Sequence, residues 1–209
     1  MIYDKCKICR RVGQKLFLKG ERCLSPKCAM VKRSYAPGIR GKRRPGAPSA
    51  YKKALSEKQK LKRWYGMSEH QFKRYVKEIM AKRGKVQDIA DELIKKLEKR
   101  LDNVVFRLGL AKSRSQARQM VSHGYFLVNN KPVNIPSFGL KKGDVIAVKE
   151  SKKKKGVFKE IASQIKKKET ASWLEIDKDT LTAKVKAEPS ITETVPPAEI
   201  SIIFEFYSR

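Results

Sequence analysis

The sequence predicts an α+β fold, and three of its features support this prediction. Apolar residues recur at helical spacing between residues 49 and 98. Two short helical stretches and several short strands, separated by turn residues, follow up to residue 152. One more helical stretch then leads to a tail in which apolar residues alternate. We therefore expect four parts: a cysteine-bearing segment with a basic connector (1–48), a helical domain (49–98), a small helix-and-sheet domain (99–152), and a C-terminal helix with a strand-rich tail that packs back on the helical domain (153–209).

The helical domain is predicted to contain three helices. Residues 51–64 are rich in strong helix formers. Ser68, with Gln71 three residues later, forms a capping box that starts the second helix. The third helix, which ends near Leu97, has acidic residues in its first turns and basic residues in its last, as the helix macrodipole favours.

The part that follows is predicted to begin with two short helices, one over 101–108 and one capped by Ser113. Short strands come next, and the dipeptide Asn129-Asn130 favours a tight turn between the first two. We place these strands at 125–128, 132–133 and 145–148.

The tail is predicted to start with a helix over 158–165. Apolar residues alternate over 181–185, as they do in a half-buried strand. Because Ile200, Ile202 and Phe204 alternate in the same way, we predict another strand near the C-terminus.

The charge of the chain points to a polyanionic partner. Of its 209 residues, 50 are Lys or Arg and 21 are Asp or Glu, which gives a formal net charge of +29. Such an excess opposes compactness unless a polyanion neutralises it, and nucleic acid is the usual one. No stretch near the N-terminus has the length of a signal sequence, and no long helix joins a basic face to a broad apolar face. We therefore expect an intracellular protein that does not bind membranes.

The four cysteines lie within the first 28 residues as Cys6-x2-Cys9 and Cys23-x4-Cys28. Two close pairs of cysteines, each on a short hairpin, can surround zinc as a tetrahedron of thiolates. With four protein ligands such a Zn²⁺ ion has a structural role. Two disulfides are disfavoured in a reducing compartment, and a redox Cys-x2-Cys motif normally follows a strand in a βαβ unit, which this region lacks.

Basic residues flank these cysteines. We expect them to lower the thiol pKa values and to offer charge to phosphates. They are Lys5, Lys7, Arg10, Arg11 and Lys27.

No arrangement of residues indicates catalysis. The sequence shows no nucleophile with a base, no pair of carboxylates in an apolar setting and no complete phosphate-binding loop, so we expect that the protein is not an enzyme. His70 is interpreted as an exposed helix residue. His123 ends a basic helix, where it could contact phosphate or interact with the helix macrodipole.

The candidate RNA-binding residues are the basic side chains of the cysteine segment, the connector and the helices, together with His123. Each could instead belong to a solvated surface. Arg114 and Arg118 are four residues apart and are expected to point outward on one helix face. The full set is Arg10, Arg11, Lys32, Arg33, Arg40, Lys42, Arg43, Arg44, Lys52, Lys53, Lys60, Lys62, Arg63, Arg107, Lys112, Arg114, Arg118 and His123.

Several motifs in order along the chain resemble the bacterial S4 family of small-subunit ribosomal proteins, in its zinc-bearing form. They include Cys6-Lys-Ile-Cys9, the Pro37-Gly38 basic elbow, Arg100-Leu-Asp-Asn-Val-Val-Phe-Arg-Leu-Gly109, Ser115-Gln-Ala-Arg-Gln-Met-Val-Ser-His123 and the ending Phe204-Glu-Phe-Tyr-Ser-Arg209. The resemblance covers essentially the whole chain, although residues 187–199 match poorly.

The resemblance implies a structural constituent of the small ribosomal subunit in the cytoplasm. Such a protein is a primary binder of 16S ribosomal RNA, nucleates assembly of the subunit body and contributes to translational accuracy. Residues 100–150 would be the S4-type RNA-binding module. The implied neighbours are ribosomal proteins S5 and S3, with the elbow residues Arg40, Lys42, Arg43 and Arg44 near the point where messenger RNA enters.

Two other classes of protein remain as alternatives. An RNA-modifying enzyme such as a pseudouridine synthase can carry the same module, but it would need a large catalytic domain. A zinc-finger DNA-binding regulator would fit the four cysteines, yet it does not explain basic residues spread over helix, elbow and module alike.

Overall fold

A computed structural model describes residues 4–38, 46–84, 88–153, 156, 158, 170–177 and 180–208. The chain divides into two compact units. The first unit contains residues 1–90 and 196–209, and the second contains residues 91–195. The α+β class is confirmed. The four-part division is finer than these two units and stays a prediction.

The first unit begins with short helices around the cysteines. Helix α1 (Lys5–Val12) starts at Asp4, whose side chain accepts a hydrogen bond from the Cys6 amide at 3.0 Å. It ends at Gly13, whose φ of 78° is the left-handed conformation that favours glycine at a helix end. A 3₁₀ helix (Gly20–Cys23) and the short α2 (Ala29–Lys32) follow.

Two longer helices form the middle of this unit, as predicted. Helix α3 (Ala50–Trp64) is capped by Ser49, and α4 (Glu69–Met80) by Ser68, whose hydroxyl accepts from the Gln71 amide at 3.3 Å. Their apolar faces are buried, because Leu61, Phe72, Val76 and Ile79 expose 2% or less of their surface. Burial of these faces stabilises helices that would be marginal alone.

The second unit contains three helices that were also predicted. Helix α5 (Ile89–Glu98), which belongs to this unit from Asp91 onwards, is followed by α6 (Leu101–Arg107) and by α7 (Arg114–Ser122). The hydroxyl of Ser113 accepts from the Gln116 amide at 3.3 Å and so caps α7, which confirms the predicted start of this helix.

A five-stranded antiparallel sheet completes the second unit. Its strands are β1 (Phe126–Val128), β2 (Lys131–Val133), β3 (Val145–Val148), β4 (Leu174–Asp177) and β5 (Thr182–Val185), in the order β2-β1-β3-β5-β4. Asn129 and Asn130 have φ values of 49° and 64°, which is the conformation of the tight hairpin turn expected between β1 and β2. The buried side of the sheet shares one apolar core with α6 and α7.

Two further short helices lie in this unit, α8 (Glu150–Lys153) and α9 (Ile191–Thr194). The amide of Ile191 donates to Asp91 Oδ1 at 3.0 Å, which fixes the start of α9 to α5. Most of the helix predicted over 158–165 lies outside the described residues, although Phe158 is described and is 2% exposed.

The C-terminal segment corrects one prediction. Residues 200–208 form a helix, α10 (Ile200–Ser208), rather than the predicted strand. Helix α10 packs against α3 with Ile200 and Ile203 buried. Their spacing of three residues is helical, whereas the alternation at Ile200, Ile202 and Phe204 arose because most positions in this stretch are apolar.

Candidate nucleic-acid interface

The four cysteines line one small pocket of about 20 Å³ in the first unit. Cys6 and Cys9 both lie on α1, Cys23 ends the 3₁₀ helix, and Cys28 precedes α2. Cys6 is half-buried, the other three are buried, and all four are thiols rather than disulfides. The expectation of a hairpin for each close pair is therefore wrong for Cys6 and Cys9, which lie three residues apart on a helix.

The pocket is a site of buried thiols. Burial raises the pKa of the Cys9 thiol, and the nearby thiols of Cys23, Cys6 and Cys28 contribute to this increase. The expectation that basic neighbours lower the thiol pKa is thus wrong for Cys9. Within the described ranges, no three His, Cys, Asp or Glu side chains adopt the geometry of ligands around a metal ion. A zinc ion at this pocket stays a prediction.

A strongly basic groove of about 550 Å³ adjoins the cysteine pocket, and the two share Cys6, Lys19 and Ala29 in their walls. We call this cavity the basic groove. Its cationic lining comes from α1 on one side and from residues 19–33 on the other. The cationic residues are Lys7, Arg10, Lys19, Arg22, Lys27, Lys32 and Arg33.

The basic groove has little internal compensation for its charge. Its one carboxylate, Asp4, caps α1. Arg10 Nε donates to the Tyr35 carbonyl at 3.0 Å, and its guanidinium lies 5.0 Å from the centre of the Tyr35 ring. Tyr35 therefore fixes the orientation of Arg10 without neutralising it. In the part of the chain that the structure describes, none of the seven cations forms an ion pair.

The groove gathers three residues of the predicted RNA-binding set, Arg10, Lys32 and Arg33. It also gathers Lys7 and Lys27, which were expected to offer charge to phosphates. Lys19 and Arg22, which also line it, were not among the predicted site residues. Both residues are close to Cys23 in the sequence, and this closeness could have indicated that they lie near the cysteine pocket. In the structure the Lys19 amide donates to Cys23 Sγ at 3.4 Å. Predicted residue Arg11 is exposed on α1 but does not line the groove.

The predicted residues on α3 fall into two groups. Lys52 and Lys53 are exposed near the start of the helix. By contrast, Lys60 pairs with Glu57 at 2.6 Å and Lys62 pairs with Glu69 at 2.6 Å. Arg63 is half-buried. The elbow residues Arg40, Lys42, Arg43 and Arg44 lie outside the described residues.

The predicted arginines of α6 and α7 are held by internal partners. Arg107 forms two hydrogen bonds with Glu98, at 2.9 and 3.0 Å. Arg114 is half-buried and its Nε donates to Asn103 Oδ1 at 2.8 Å, so the expectation that it points freely outward is wrong. Tertiary contacts with a preceding helix, which spacing along α7 cannot show, account for this difference.

The two remaining predicted residues flank α7. Lys112 is half-buried, and its amide donates to Gln116 Oε1 at 2.8 Å. His123 is exposed at the C-terminal end of the helix, where its amide donates to the Gln119 carbonyl at 3.0 Å. An exposed imidazole at this position is compatible with both roles considered for it.

Among the described residues, no helix has the length and apolar character needed to cross a membrane. The basic groove, with its seven cations, and the pair α6–α7 packed on a small antiparallel sheet define a nucleic-acid-binding protein built from two units.

Comparisons with known proteins specify this class further. The family model of the ribosomal protein S4/S9 N-terminal domain matches residues 1–101, and that of the S4 domain matches residues 99–146. Proteins named small ribosomal subunit protein uS4 are 46% identical in Thermotoga petrophila, 48% in Halothermothrix orenii and 49% in Caldicellulosiruptor saccharolyticus. Each of these matches covers 98% of this chain and 96% of the relative.

The chain therefore belongs to the uS4 family of small ribosomal subunit proteins. This is a family of structural proteins, so the expectation that the chain is not an enzyme is confirmed, and the pseudouridine synthase and the DNA-binding regulator are excluded.

Proposed function

We propose that this chain is a primary binder of 16S ribosomal RNA that nucleates assembly of the body of the small subunit. The basic groove is the observation that carries this proposal. Family membership supports a ribosomal RNA partner, and the groove supplies a surface on which its phosphates can bind.

The charge of the basic groove explains why a polyanion is the partner. Seven cations share one cavity with a single carboxylate, and that carboxylate already caps a helix. Mutual repulsion of these cations is unfavourable in the free protein, and phosphates that enter the groove relieve it. Counterions released from the RNA add a favourable entropy that depends on salt. The groove thus favours folded RNA, which brings several phosphates close together.

Further partners are part of the same proposal. The resemblance to the family implies that the chain lies beside ribosomal proteins S5 and S3, near the point where messenger RNA enters, and that it contributes to translational accuracy in cytoplasmic ribosomes. Cosedimentation of the chain with small subunits in a cell lysate, followed by crosslinking to these two proteins, tests this arrangement. A chain found only outside ribosomal fractions would contradict it.

A structural Zn²⁺ ion is also proposed for the cysteine pocket. The donor set fits this ion, because four thiols that can ionise line one pocket and soft thiolates are preferred zinc ligands. Cys6 and Cys9 would hold α1, and Cys23 and Cys28 would hold the opposite wall of the basic groove. The ion would supply a crosslink between the two walls, so that loss of zinc also weakens RNA binding.

The decisive experiment compares binding of the full chain to a 16S RNA fragment that contains the multi-helix junction and to a duplex of equal composition without it. We expect tighter binding to the junction at equal salt, because proteins recognise folded RNA largely by shape. Log affinity should fall with log salt by about 0.7 to 0.9 per phosphate neutralised. Equal affinity for the two RNAs would overturn the proposal.

A pair of matched variants tests the basic groove itself. Lys32→Gln with Arg33→Gln removes two exposed cations of the groove, and we expect an affinity loss of about tenfold or more. Lys184→Gln with Lys186→Gln removes two exposed cations of the second unit and should cost less than about threefold, since Lys186 already pairs with Glu175 at 3.1 Å. Equal losses would show that the positive charge acts without a defined site.

A further inference from the structure

Two carboxylates of the second unit lie beside the arginines of α6 and α7. The residue Glu98 is 0% exposed and Asp102 is 4% exposed. Burial of an ionised carboxylate is strongly unfavourable unless charged groups and hydrogen bonds compensate it. The hydrogen-bond and ion-pair partners of these two carboxylates therefore indicate their role.

Glu98 uses both of its oxygens to hold Arg107. Arg107 Nε donates to Oε2 at 2.9 Å and Nη2 donates to Oε1 at 3.0 Å, which is the forked geometry of a bidentate pair. The side chain of Arg107 is 23% exposed, whereas that of Glu98 is completely buried. The buried member of the pair thus fixes the orientation of a guanidinium that reaches the surface.

Asn103 extends the same network to α7. Its Nδ2 donates to Glu98 Oε2 at 2.7 Å, and its Oδ1 accepts from Arg114 Nε at 2.8 Å. The guanidinium of Arg114 also lies 4.6 Å from the centre of the Phe106 ring. Glu98 therefore fixes the amide of Asn103, and this amide fixes Arg114.

Asp102, in the first turn of α6, plays a parallel role. Arg100, which is 1% exposed, donates to both Asp102 oxygens at 3.0 and 2.7 Å. Asp102 Oδ2 also lies 3.9 Å from Nη1 of Arg118, whose side chain is 38% exposed. We call the three half-buried residues Arg107, Arg114 and Arg118 the oriented arginines.

The network reaches the surface through its arginines. The side chains of Arg107 and Arg118 are 23% and 38% exposed, whereas those of Glu98 and Asp102 are 0% and 5% exposed. The buried carboxylates therefore hold guanidinium groups that an anion from outside the protein can reach, and arginine binds phosphate oxygens through such groups.

We propose that Glu98 and Asp102 are positioning residues for RNA binding, which hold the oriented arginines ready for phosphate oxygens of the folded RNA. This inference rests on the proposed function. Arginine contacts phosphate best as a fixed fork, and prior ordering removes the entropy cost of fixing a long side chain on binding. Two acidic residues thereby strengthen binding to a polyanion, the opposite of what their charge alone predicts.

Positioning and undirected electrostatic attraction predict different changes in RNA affinity when one of these carboxylates is removed, so a single substitution distinguishes them. Glu98→Gln removes one negative charge, so an undirected electrostatic attraction would make RNA binding tighter or leave it unchanged. Positioning predicts that affinity for the 16S junction fragment falls by about threefold to tenfold, because the fork that holds Arg107 is lost. The slope of log affinity against log salt should also become shallower by about 0.7 to 0.9 for each phosphate that the variant no longer neutralises. Circular dichroism and thermal unfolding show whether the variant is folded.

Glu175→Gln is the matched control. It removes one carboxylate from the same unit, and Glu175 is an exposed residue of β4 that pairs with Lys186 rather than with an arginine. We expect wild-type affinity or slightly tighter binding. If wild-type protein and this control fail to prefer the junction, the proposed function fails; if they prefer it and Glu98→Gln binds as tightly as they do, only the positioning role fails.

If Glu98→Gln does not fold, Arg107→Lys tests whether the fork between Arg107 and Glu98 contributes to RNA binding. Lysine keeps the positive charge and can still pair with Glu98, but it lacks the fork. Positioning predicts weaker binding and a shallower salt slope for the folded variant. Wild-type affinity, or a lower melting temperature with an unchanged salt slope, would show that the network has a structural role only.

Discussion

Glu69 joins three side chains of the first unit through its two oxygens. Lys58 and Tyr207 donate to Oε1 at 2.6 and 3.1 Å, and Lys62 donates to Oε2 at 2.6 Å. Partial burial alone would raise the pKa of Glu69, but hydrogen bonds from Lys58 and Lys62 outweigh it and lower the pKa to about 2. Burial, together with the charge of Glu69, raises the pKa of Tyr207, so this hydroxyl stays protonated and can donate.

The charge of Glu69 makes stability depend on pH in a defined window. Because its pKa is lowered on folding from 4.5 to about 2, its contribution is fully present above about pH 4.5 and is lost as pH falls towards about 2. Since the side chain is 45% exposed, we expect Glu69→Gln to lower the free energy of unfolding at pH 7 by about 1 kcal/mol. Urea unfolding at pH 7, 4 and 3 should show this difference shrinking with pH.

Glu150→Gln is the control for this measurement. The side chain of Glu150 is 86% exposed and pairs with Lys153, so its removal should change stability by less than about 0.5 kcal/mol at each pH. A Glu69→Gln effect that grows as the pH falls would contradict the assigned charge state.

Zinc binding is a second prediction at the scale of single residues. If the pocket holds Zn²⁺, one ion should copurify with each chain, and Cys9→Ser should release it. Zinc binding contributes on the order of 10 kcal/mol to the folding of such segments, so α1 and residues 19–33 should lose structure in this variant. Elemental analysis and hydrogen exchange measure the two effects.

Met30→Leu provides the matched control for zinc, because Met30 lines the same pocket without being an expected ligand. This variant should retain the metal. Four thiols that react fully with an alkylating agent in folded, metal-free protein would rule out the proposed zinc site.

At the scale of an element, α10 is stabilised by the face that it packs on α3. The buried residues Ile200 and Ile203 are 5% and 0% exposed, and the rings of Phe206 and Tyr51 lie 5.7 Å apart between their centres. The ion pair of Lys58 with Glu69 lies at the same place, with Lys58 Nζ 4.6 Å from the centre of the Phe206 ring.

The buried face of α10 predicts that two similar substitutions lower the free energy of unfolding by different amounts. Ile203→Ala should lower the free energy of unfolding by about 2 to 4 kcal/mol, because it leaves a cavity in a fully buried position. Ile202→Ala removes the same atoms from a half-buried position and should cost about 1 kcal/mol. Urea unfolding of both variants provides the comparison, and equal costs would mean that α10 does not bury the assigned face.

For the whole molecule, the net charge of +29 predicts that added salt stabilises the free protein. Repulsion between exposed cations is reduced when the Debye length falls from about 14 Å at 0.05 M salt to about 6 Å at 0.3 M. We expect the melting temperature to rise by a few degrees over this range of KCl. A neutral solute at equal osmolality is the control, and a melting temperature that falls steadily with KCl would contradict the role of repulsion.

Much of the fold could be predicted because it depends on local chemistry. Ser68 and Ser113 cap helices through hydrogen bonds to amides three residues away, and the turn at Asn129-Asn130 needs only two residues that tolerate positive φ. The spacing of the cysteines likewise predicted that all four line one pocket. Each of these signals is complete within a short stretch of chain.

The sequence by itself determined the α+β class, the main helices, the first three strands and β5, the basic character and the resemblance to the S4 family. Only the tertiary structure decided that residues 200–208 form a helix, because a mostly apolar stretch fits both periodicities until α3 provides the surface on which it packs. It also decided which cations meet in the basic groove, and that Arg114 turns towards Asn103. Burial and ion pairing bring together residues that are far apart along the chain, and a local sequence pattern does not show which of these residues come into contact.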